Sequence, residues 1–340
     1  MEQNAELIAQ AISGSLNIIE QDRERIIVEK RFGLDGHKET LEQIGEALFV
    51  TRERVRQLEK VILIRLRLAA KEGKIPELAA AEKIIIRNLA ELGRVSRLNT
   101  LADKLYGRPA TSSERAALHF IGEISSALTI LPENDKYWGA LAIADAGDEK
   151  LLKQKVDRIV ALIKEHKSPL TIDELDSKLD YEHPSQIAAT ASLSKQLASL
   201  NGLWGLAKWP TVNPKNIRDK IYVILESKKE PMHFNDIAAE IAASNFKRKN
   251  VTTQAIHNEL IKDPRFVLIG RGIYALDTWG YKKGTVSDII KAAIKSAGRP
   301  LSREEIVAEV LKSRKVKEPR FSSTSKTKKF SRNSTKTLIL

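Results

Sequence analysis

Apolar residues recur along this chain at the spacing of amphipathic helices, and the helices that they predict are grouped around short polar turns. One pattern appears four times: a polar turn is followed by apolar positions three or four residues apart. The four turns lie at residues 92–98, 166–171, 229–234 and 298–302. Because apolar positions at this spacing form one face of an α-helix, the pattern predicts an internally repeated, mainly α-helical chain.

The first three copies end in aromatic, strand-like segments at residues 137–141, 203–207 and 266–276. In the third copy the sequence Gly-Arg-Gly at residues 270–272 supplies the turn between two strands. Three helices followed by a small hairpin predict a winged helix. We therefore expect a mainly α protein of tandem helix-turn-helix and winged-helix domains with small β wings.

Residues 214–281 resemble the HARE-type helix-turn-helix, a winged-helix family also found at the N-terminus of the RNA polymerase delta subunit. The resemblance is carried by Ile221–Leu225, Pro231–Phe234, Ile237, Ile256, Leu260, Phe266 and Gly272–Leu276. It implies binding to nucleic acid or service in transcription and chromatin complexes. Residues 75–145 and 150–210 resemble more diverged copies of the same module.

The N-terminal part contains a more specific pattern. Thr40 and Gln43 form a predicted capping box at the start of a helix, and Thr51 is a good N-cap for the next helix. Gly45 allows these two helices to pack closely. The apolar face of the second helix consists of Val55, Leu58 and Ile62.

The opposite face of that second helix is charged. Arg52, Arg56 and Lys60 follow one another at steps of four residues, with Glu53 and Gln57 beside them. In a major groove, Arg can bind guanine, Gln can bind adenine and Glu can accept from cytosine. A solvated charged face is the alternative, and the surrounding helix-turn-helix pattern favours base reading. Backbone N–H groups at residues 41–42 can bind a phosphate.

These residues closely resemble region 4 of sigma-70-type RNA polymerase sigma factors, at residues 31–34, 40–45 and 50–59. The resemblance implies reading of the −35 promoter element and contact with the polymerase flap. It implies base-reading positions for Arg52, Glu53 and Gln57, with Arg54 and Arg56 beside them. The predicted DNA-binding residues are Thr40, Leu41, Thr51, Arg52, Glu53, Arg54, Arg56, Gln57 and Lys60. Nothing in the sequence resembles the aromatic-rich region 2 of those factors, so we expect a region 4 reader fused to winged helices.

The net charge of +13 is weak evidence for DNA binding, because much of it lies at the C-terminal end of the chain. Residues 1–74 are neutral overall, with 13 basic and 13 acidic side chains, whereas residues 312–340 hold 10 basic side chains against one acidic. Within the neutral N-terminal part, residues 51–67 carry six basic and two acidic side chains, a net +4. The local charge on one helix therefore favours DNA binding more strongly than the global charge does.

The repeats and the charge predict six segments. Residues 1–74 are the region 4-like domain, residues 75–149 and 150–212 are winged-helix-like, and residues 213–283 are the HARE-type module. Residues 284–319 are a partial winged helix. Residues 320–340 have no helical or strand period, and two interpretations stay open: a disordered basic tail, or a frameshift near Pro319 that truncates a folded module.

Other functional classes have little support in the sequence. The six histidines are scattered without metal-ligand spacing, cysteine is absent, and no P-loop or nucleophile-elbow motif occurs. No apolar run is long enough to span a bilayer. We expect a cytoplasmic protein that is not an enzyme and needs no cofactor or metal.

The predicted function is sequence-specific binding of double-stranded DNA in bacterial transcription, with −35-type promoter recognition and contact with the RNA polymerase core. A first alternative is an adaptor that binds polymerase or other proteins without reading bases. A second alternative is the DNA-recognition part of a restriction or modification system.

Overall fold

The computed structural model describes residues 2–179, 181–246, 250–281, 286–306, 331–332 and 337–339. The chain divides into two compact units, residues 1–208 and residues 209–340. Both are built from helices with small antiparallel sheets. This confirms the predicted mainly α fold class.

The first unit begins with five consecutive helices and then alternates helices with short strands. Its helices are α1 Glu2–Asn17, α2 Asp22–Phe32, α3 Leu41–Leu48, α4 Arg52–Lys71, α5 Pro76–Glu91, α6 Leu98–Tyr106, α7 Ser112–Ile124, α8 Glu149–His166, α9 Ile172–Asp176 and α10 Pro184–Ser192. Its strands are β1 Val95–Arg97, β2 Leu128–Leu131, β3 Ala140–Ile143, β4 Leu197–Leu200 and β5 Leu203–Leu206.

The second unit repeats the alternation. Its helices are α11 Ile217–Lys228, α12 Phe234–Ala243, α13 Thr253–Lys262 and α14 Val286–Ala297. Its strands are β6 Met232–His233, β7 Phe266–Gly270, β8 Ile273–Leu276, β9 Leu301–Ser302, β10 Ser331–Arg332 and β11 Thr337–Ile339.

One topology recurs along the chain: a helix, a short strand, two helices and a β-hairpin. In two copies the last strand lies in the middle of the sheet, in the orders β1-β3-β2 and β6-β8-β7. In the copy between them, β4 pairs with β5 and a single bridge from Leu170 to Trp204 takes the place of the first strand. These are the elements of a winged helix in the order that the sequence repeats predict.

The last copy includes residues from the C-terminal tail. Strand β9 pairs with β11, and β11 pairs with β10, so the sheet has the same order as in the other copies. The sequence showed no strand period there. Residues 307–330 and 333–336, on which much of the predicted partial module and tail falls, lie outside the described residues. The predicted domain boundaries and the frameshift origin of the tail stay predictions.

Helix α7 is the centre of the first unit. Its side chains Leu118, Phe120 and Ile121 are fully buried, and it packs against α1, α2, α4 and α6. The Phe120 ring meets the Phe32 ring edge-on, with 5.1 Å between the ring centroids. One continuous apolar core therefore joins the region 4-like helices to the first copy of the repeated topology.

We predict that Phe120→Ala destabilises the first unit by about 3–5 kcal/mol, because it removes a buried ring and leaves a cavity. Urea unfolding of the full chain measures this change. Phe49→Ala is the matched control, because the Phe49 side chain is 94% exposed, and it should change stability by less than about 0.5 kcal/mol. Equal effects of the two substitutions would contradict the central position of α7.

His119, beside Phe120 on α7, gives a pH prediction. Its ring lies 5.4 Å from the Phe32 ring, and burial, together with the charges of Lys38 and Arg31, lowers the pKa of His119 from 6.5 to about 4. The unfolded chain therefore binds a proton that the folded chain does not bind between these two pH values. Stability contributed by neutral His119 is fully present above pH 6.5 and is lost as the pH falls toward 4.

The measurement is the unfolding free energy at pH 7.5 and at pH 5, for the native chain and for His119→Gln. We expect a smaller loss of stability on acidification in the variant, because glutamine does not titrate. An equal loss in both proteins would show that His119 does not carry this dependence.

Candidate nucleic-acid interface

Helix α3 begins with the capping box that the sequence predicts. The Thr40 hydroxyl accepts a hydrogen bond from the Gln43 backbone N–H at 3.3 Å, and the Gln43 side chain accepts one from the Thr40 backbone N–H at 2.9 Å. Because the Thr40 hydroxyl is used by the cap, it fixes the helix start rather than reaching outward. Leu41, the first helical residue, packs on a small core formed by Ile27, Ile44 and Val55. What Leu41 can offer to a phosphate is its backbone N–H.

The turn between α3 and α4 is tight and requires glycine. The Val50 N–H donates to the Gly45 carbonyl at 2.9 Å, and a Cβ atom at Gly45 would lie only 2.7 Å from the Val50 carbonyl oxygen. Phe49 takes the left-handed conformation, with φ of 56°, and ends α3. The guanidinium of Arg23 donates to the Leu48 carbonyl and ties the turn to α2. The predicted close packing at Gly45 is confirmed.

Helix α4 begins at the predicted N-cap. The Thr51 hydroxyl accepts from the Arg54 backbone N–H at 3.2 Å, so this hydroxyl also serves the helix start. One face of α4 is buried through Val55, Ile62, Leu66 and Ala69. Two ion pairs flank that face: Arg31 with Glu59 at 3.1 Å and Arg65 with Glu24 at 2.9 Å.

The opposite face in the first half of α4 is open to solvent. Its exposed side chains are Arg52, Glu53, Arg54, Arg56, Gln57 and Lys60. The structure thus brings together on one surface the six α4 residues that the sequence predicts for DNA binding. The surface is about two helical turns long, which is a length that a major groove accommodates.

Two residues of this surface hold each other. The Arg56 guanidinium donates two hydrogen bonds to the Glu53 carboxylate, at 2.9 and 2.7 Å. These hydrogen bonds lower the pKa of Glu53 and raise the pKa of Arg56. Among the described residues, no carboxylate forms an ion pair with Arg52, Arg54 or Lys60, so these three cations are available for an anionic partner.

The positive charge is more local than the sequence count suggests. Of the six basic residues at positions 51–67, Arg65 pairs with Glu24. Arg67 donates to the carboxylate and the backbone carbonyl of Glu123, both at 2.6 Å. Their charges are neutralised on α2 and α7. The excess of positive charge therefore lies in the first half of α4, beside the predicted base-reading residues.

The second half of α4 carries an exposed apolar stripe that was not predicted from the sequence. Val61, Ile64 and Leu68 are 52%, 52% and 55% exposed and form an outward apolar stripe next to Lys60. Their spacing of three and four residues was the available signal, but the same spacing also predicts a buried face. Only the packing of the other side of α4 shows which of its two apolar stripes is covered.

Within the part of the chain that the structure describes, no group of three or more His, Asp or Glu side chains is arranged to hold a metal ion. Among the same residues, no helix combines the length and the apolar character needed to cross a bilayer.

Comparison with known proteins gives the N-terminal helices a family. The family model for Sigma-70, region 4 matches residues 21–68, which contain α2, α3 and most of α4. Residues 21–68 are a sigma-70 region 4 domain. Domains of this family are DNA-binding domains of bacterial transcription that recognise the −35 element.

A relative with a matching segment is the RNA polymerase sigma factor SigA4 of Synechococcus elongatus. It is 44% identical over 57 residues, which is 16% of this chain and 18% of the relative. The chain thus spans less than a fifth of the length of this relative. The likeness concerns the region 4 segment alone.

We predict that Gly45→Ala destabilises the α3–α4 turn by about 1–3 kcal/mol, the usual range for an overpacked site. The added methyl group meets the backbone carbonyl of Val50, which cannot rotate away as a side chain can. Thermal unfolding followed by circular dichroism measures the change. Ala47→Ser, on the exposed side of the same helix, is the control. A Gly45→Ala protein as stable as this control would contradict the tight turn.

Proposed function

We propose that the chain is a sequence-specific DNA-binding protein of bacterial transcription, in which region 4 recognises promoter DNA of the −35 type. The observation that carries the proposal is the exposed face of α4, which presents Arg52, Glu53, Arg56 and Gln57 outward in the part of the chain that matches Sigma-70, region 4. In the proposed complex the first half of α4 lies in the major groove. We further propose a cytoplasmic, non-enzymatic role without a cofactor.

The contacts of this face suggest how bases are read. Arg56 and Glu53 occupy each other in the free protein, so a guanine or a cytosine that binds one of them must replace a charge-assisted hydrogen bond. A wrong base leaves the Arg56–Glu53 pair intact and gains no contact, so discrimination requires the matching base to form stronger hydrogen bonds than the pair it replaces. Arg52, Arg54 and Lys60 can bind phosphates or bases without breaking an ion pair. The N-terminus of α3 adds backbone N–H groups for a phosphate.

We propose that residues 214–281 are a HARE-type module that serves the same DNA-bound assembly. The support is the order of its elements, α11-β6-α12-α13-β7-β8, and the burial of the residues that carry the resemblance, among them Ile221, Ile237 and Leu260. Residues 213–283 carry 13 basic and 8 acidic side chains, a net +5. This charge favours a module that contributes to phosphate binding.

A second candidate function is protein contact, and one specific observation favours it. The apolar stripe of Val61, Ile64 and Leu68 is exposed, and it continues the α4 surface beyond the base-reading residues. An apolar surface on the same helix as the proposed base-reading residues fits a partner protein bound to the same DNA. RNA polymerase is the partner that the likeness to region 4 suggests.

We predict that Arg52→Ala and Gln57→Ala each weaken binding to the preferred duplex by about 1–3 kcal/mol while leaving binding to unrelated duplexes nearly unchanged. The preferred duplex comes from a selection out of random duplex DNA with the full chain. Titrations on both duplexes at fixed salt measure the difference. Arg87→Ala is the matched control, because Arg87 is an 83% exposed arginine on α5, away from the proposed interface.

A series of salt concentrations completes this test. A chain that binds phosphates should lose affinity steeply as salt rises. If the two α4 substitutions weaken all sequences equally, base reading is wrong. If no duplex binds while polymerase is captured after nuclease treatment, the adaptor function replaces DNA recognition.

A further inference from the structure

Among the residues that the structure describes, the topology places four helix-turn-helix pairs: α3–α4, α6–α7, α9–α10 and α12–α13. In a DNA-binding helix-turn-helix, the second helix of the pair enters the major groove. The candidate reading helices are thus α4, α7, α10 and α13. Whether each can reach DNA depends on what covers it.

Helix α7 is covered by its own unit. Beyond Ser112, each of its residues is buried or half-buried. Phe120 packs on Phe32 of α2, and Arg67 of α4 caps its far end through Glu123. A helix enclosed by α1, α2, α4 and α6 has no free side to lay in a groove.

Helix α10 is covered in a similar way. Ser185 is its exposed residue, and each residue from 186 to 192 is buried or half-buried. It lies against β1. The contact is so close that a Cβ atom at Gly93 would be 2.7 Å from the Ser185 carbonyl oxygen and 2.9 Å from the Ala189 Cβ. The neighbouring module therefore occupies the side that DNA would need.

Helix α13 presents an open polar face. Its exposed residues are Thr253, Gln254, Asn258, Ile261 and Lys262, and its buried residues are Ile256 and Leu260. The amides of Gln254 and Asn258 lie one turn apart, 3.1 Å from each other. Glu259, the acidic residue of the helix, is half-buried and pairs with Arg218 of α11 at 3.3 Å. The open face thus carries amides and a cation but no carboxylate.

The hairpin beside α13 adds a cation at a fixed position. Arg271 is exposed at the turn between β7 and β8. Gly272 follows with φ of +72°, and a Cβ atom there would lie 2.5 Å from His233 Nε2. The turn is therefore pressed against the start of α12. A rigid wing tip that ends in arginine is suited to a phosphate or to the minor groove.

We propose that the chain reads duplex DNA at two points, through α4 in the first unit and through α13 with Arg271 in the second, while α7 and α10 serve as packing helices. The inference rests on the proposed function, because α4 is the other reading helix. Glutamine and asparagine bind adenine through its N6 and N7 atoms, so Gln254 and Asn258 favour adenine in the second part of the site.

The test is hydroxyl-radical footprinting of the full chain on a duplex selected from random DNA. We expect two separate protected segments. The double substitution Gln254→Ala/Asn258→Ala should remove one segment, leave the other and weaken binding at least about tenfold. Arg271→Ala should reduce the slope of log affinity against log salt by about 1. The control Ser185→Ala/Gln186→Ala on α10 should behave like the native chain.

The outcomes separate this inference from the function on which it rests. A single protected segment that disappears in Arg52→Ala and is unchanged by the α13 substitutions overturns the second reading point and leaves region 4 recognition intact. A loss of affinity from the α10 substitutions as large as that from the α13 substitutions also overturns it. Absence of any protected segment overturns both proposals.

Discussion

The burial of α7 against the region 4 helices α2 and α4 is the interaction on which the first unit depends. Two contacts hold α2 and α4 on the side that faces α7: the ring contact of Phe120 with Phe32 and the ion pair of Glu123 with Arg67. Since α4 has one side held by this core, its other side is left to solvent. The same packing that stabilises the unit therefore decides which face of α4 a ligand can meet, and it places the polar half of the helix there.

The second helix of each helix-turn-helix pair has one of two kinds of surroundings in this chain. Helices α7 and α10 pack against neighbouring elements. Directly after α10, the Leu193 carbonyl accepts a hydrogen bond from the Trp138 N–H at 2.8 Å, which links successive modules. Helices α4 and α13 each keep an exposed polar face. Repetition of one fold thus gives both packed helices within the first unit and helices with an exposed polar face. Fold alone does not distinguish these roles, whereas burial does.

Much of the site could be predicted from the sequence because its determinants are local. The caps at Thr40 and Thr51 and the tight turn at Gly45 depend on residues within a few positions, and the structure confirms them. The ion pairs of Arg65 with Glu24 and of Arg67 with Glu123 span 41 and 56 residues. No local pattern in the sequence therefore predicts them. The covering of α7 and α10 is equally long-range. The sequence repeats predicted similar modules and could not show which of their helices are enclosed.

Methylation interference at guanine N7 is the most direct measure of whether α4 lies in a major groove and reads bases. A duplex selected by the full chain is sparsely methylated with dimethyl sulfate, and bound and free molecules are compared. Base reading by the α4 arginines predicts that methylated guanines within the protected segment are depleted from the bound fraction, and that the depletion is lost in Arg52→Ala or Arg56→Ala. Equal methylation of bound and free duplex throughout the protected segment would contradict it.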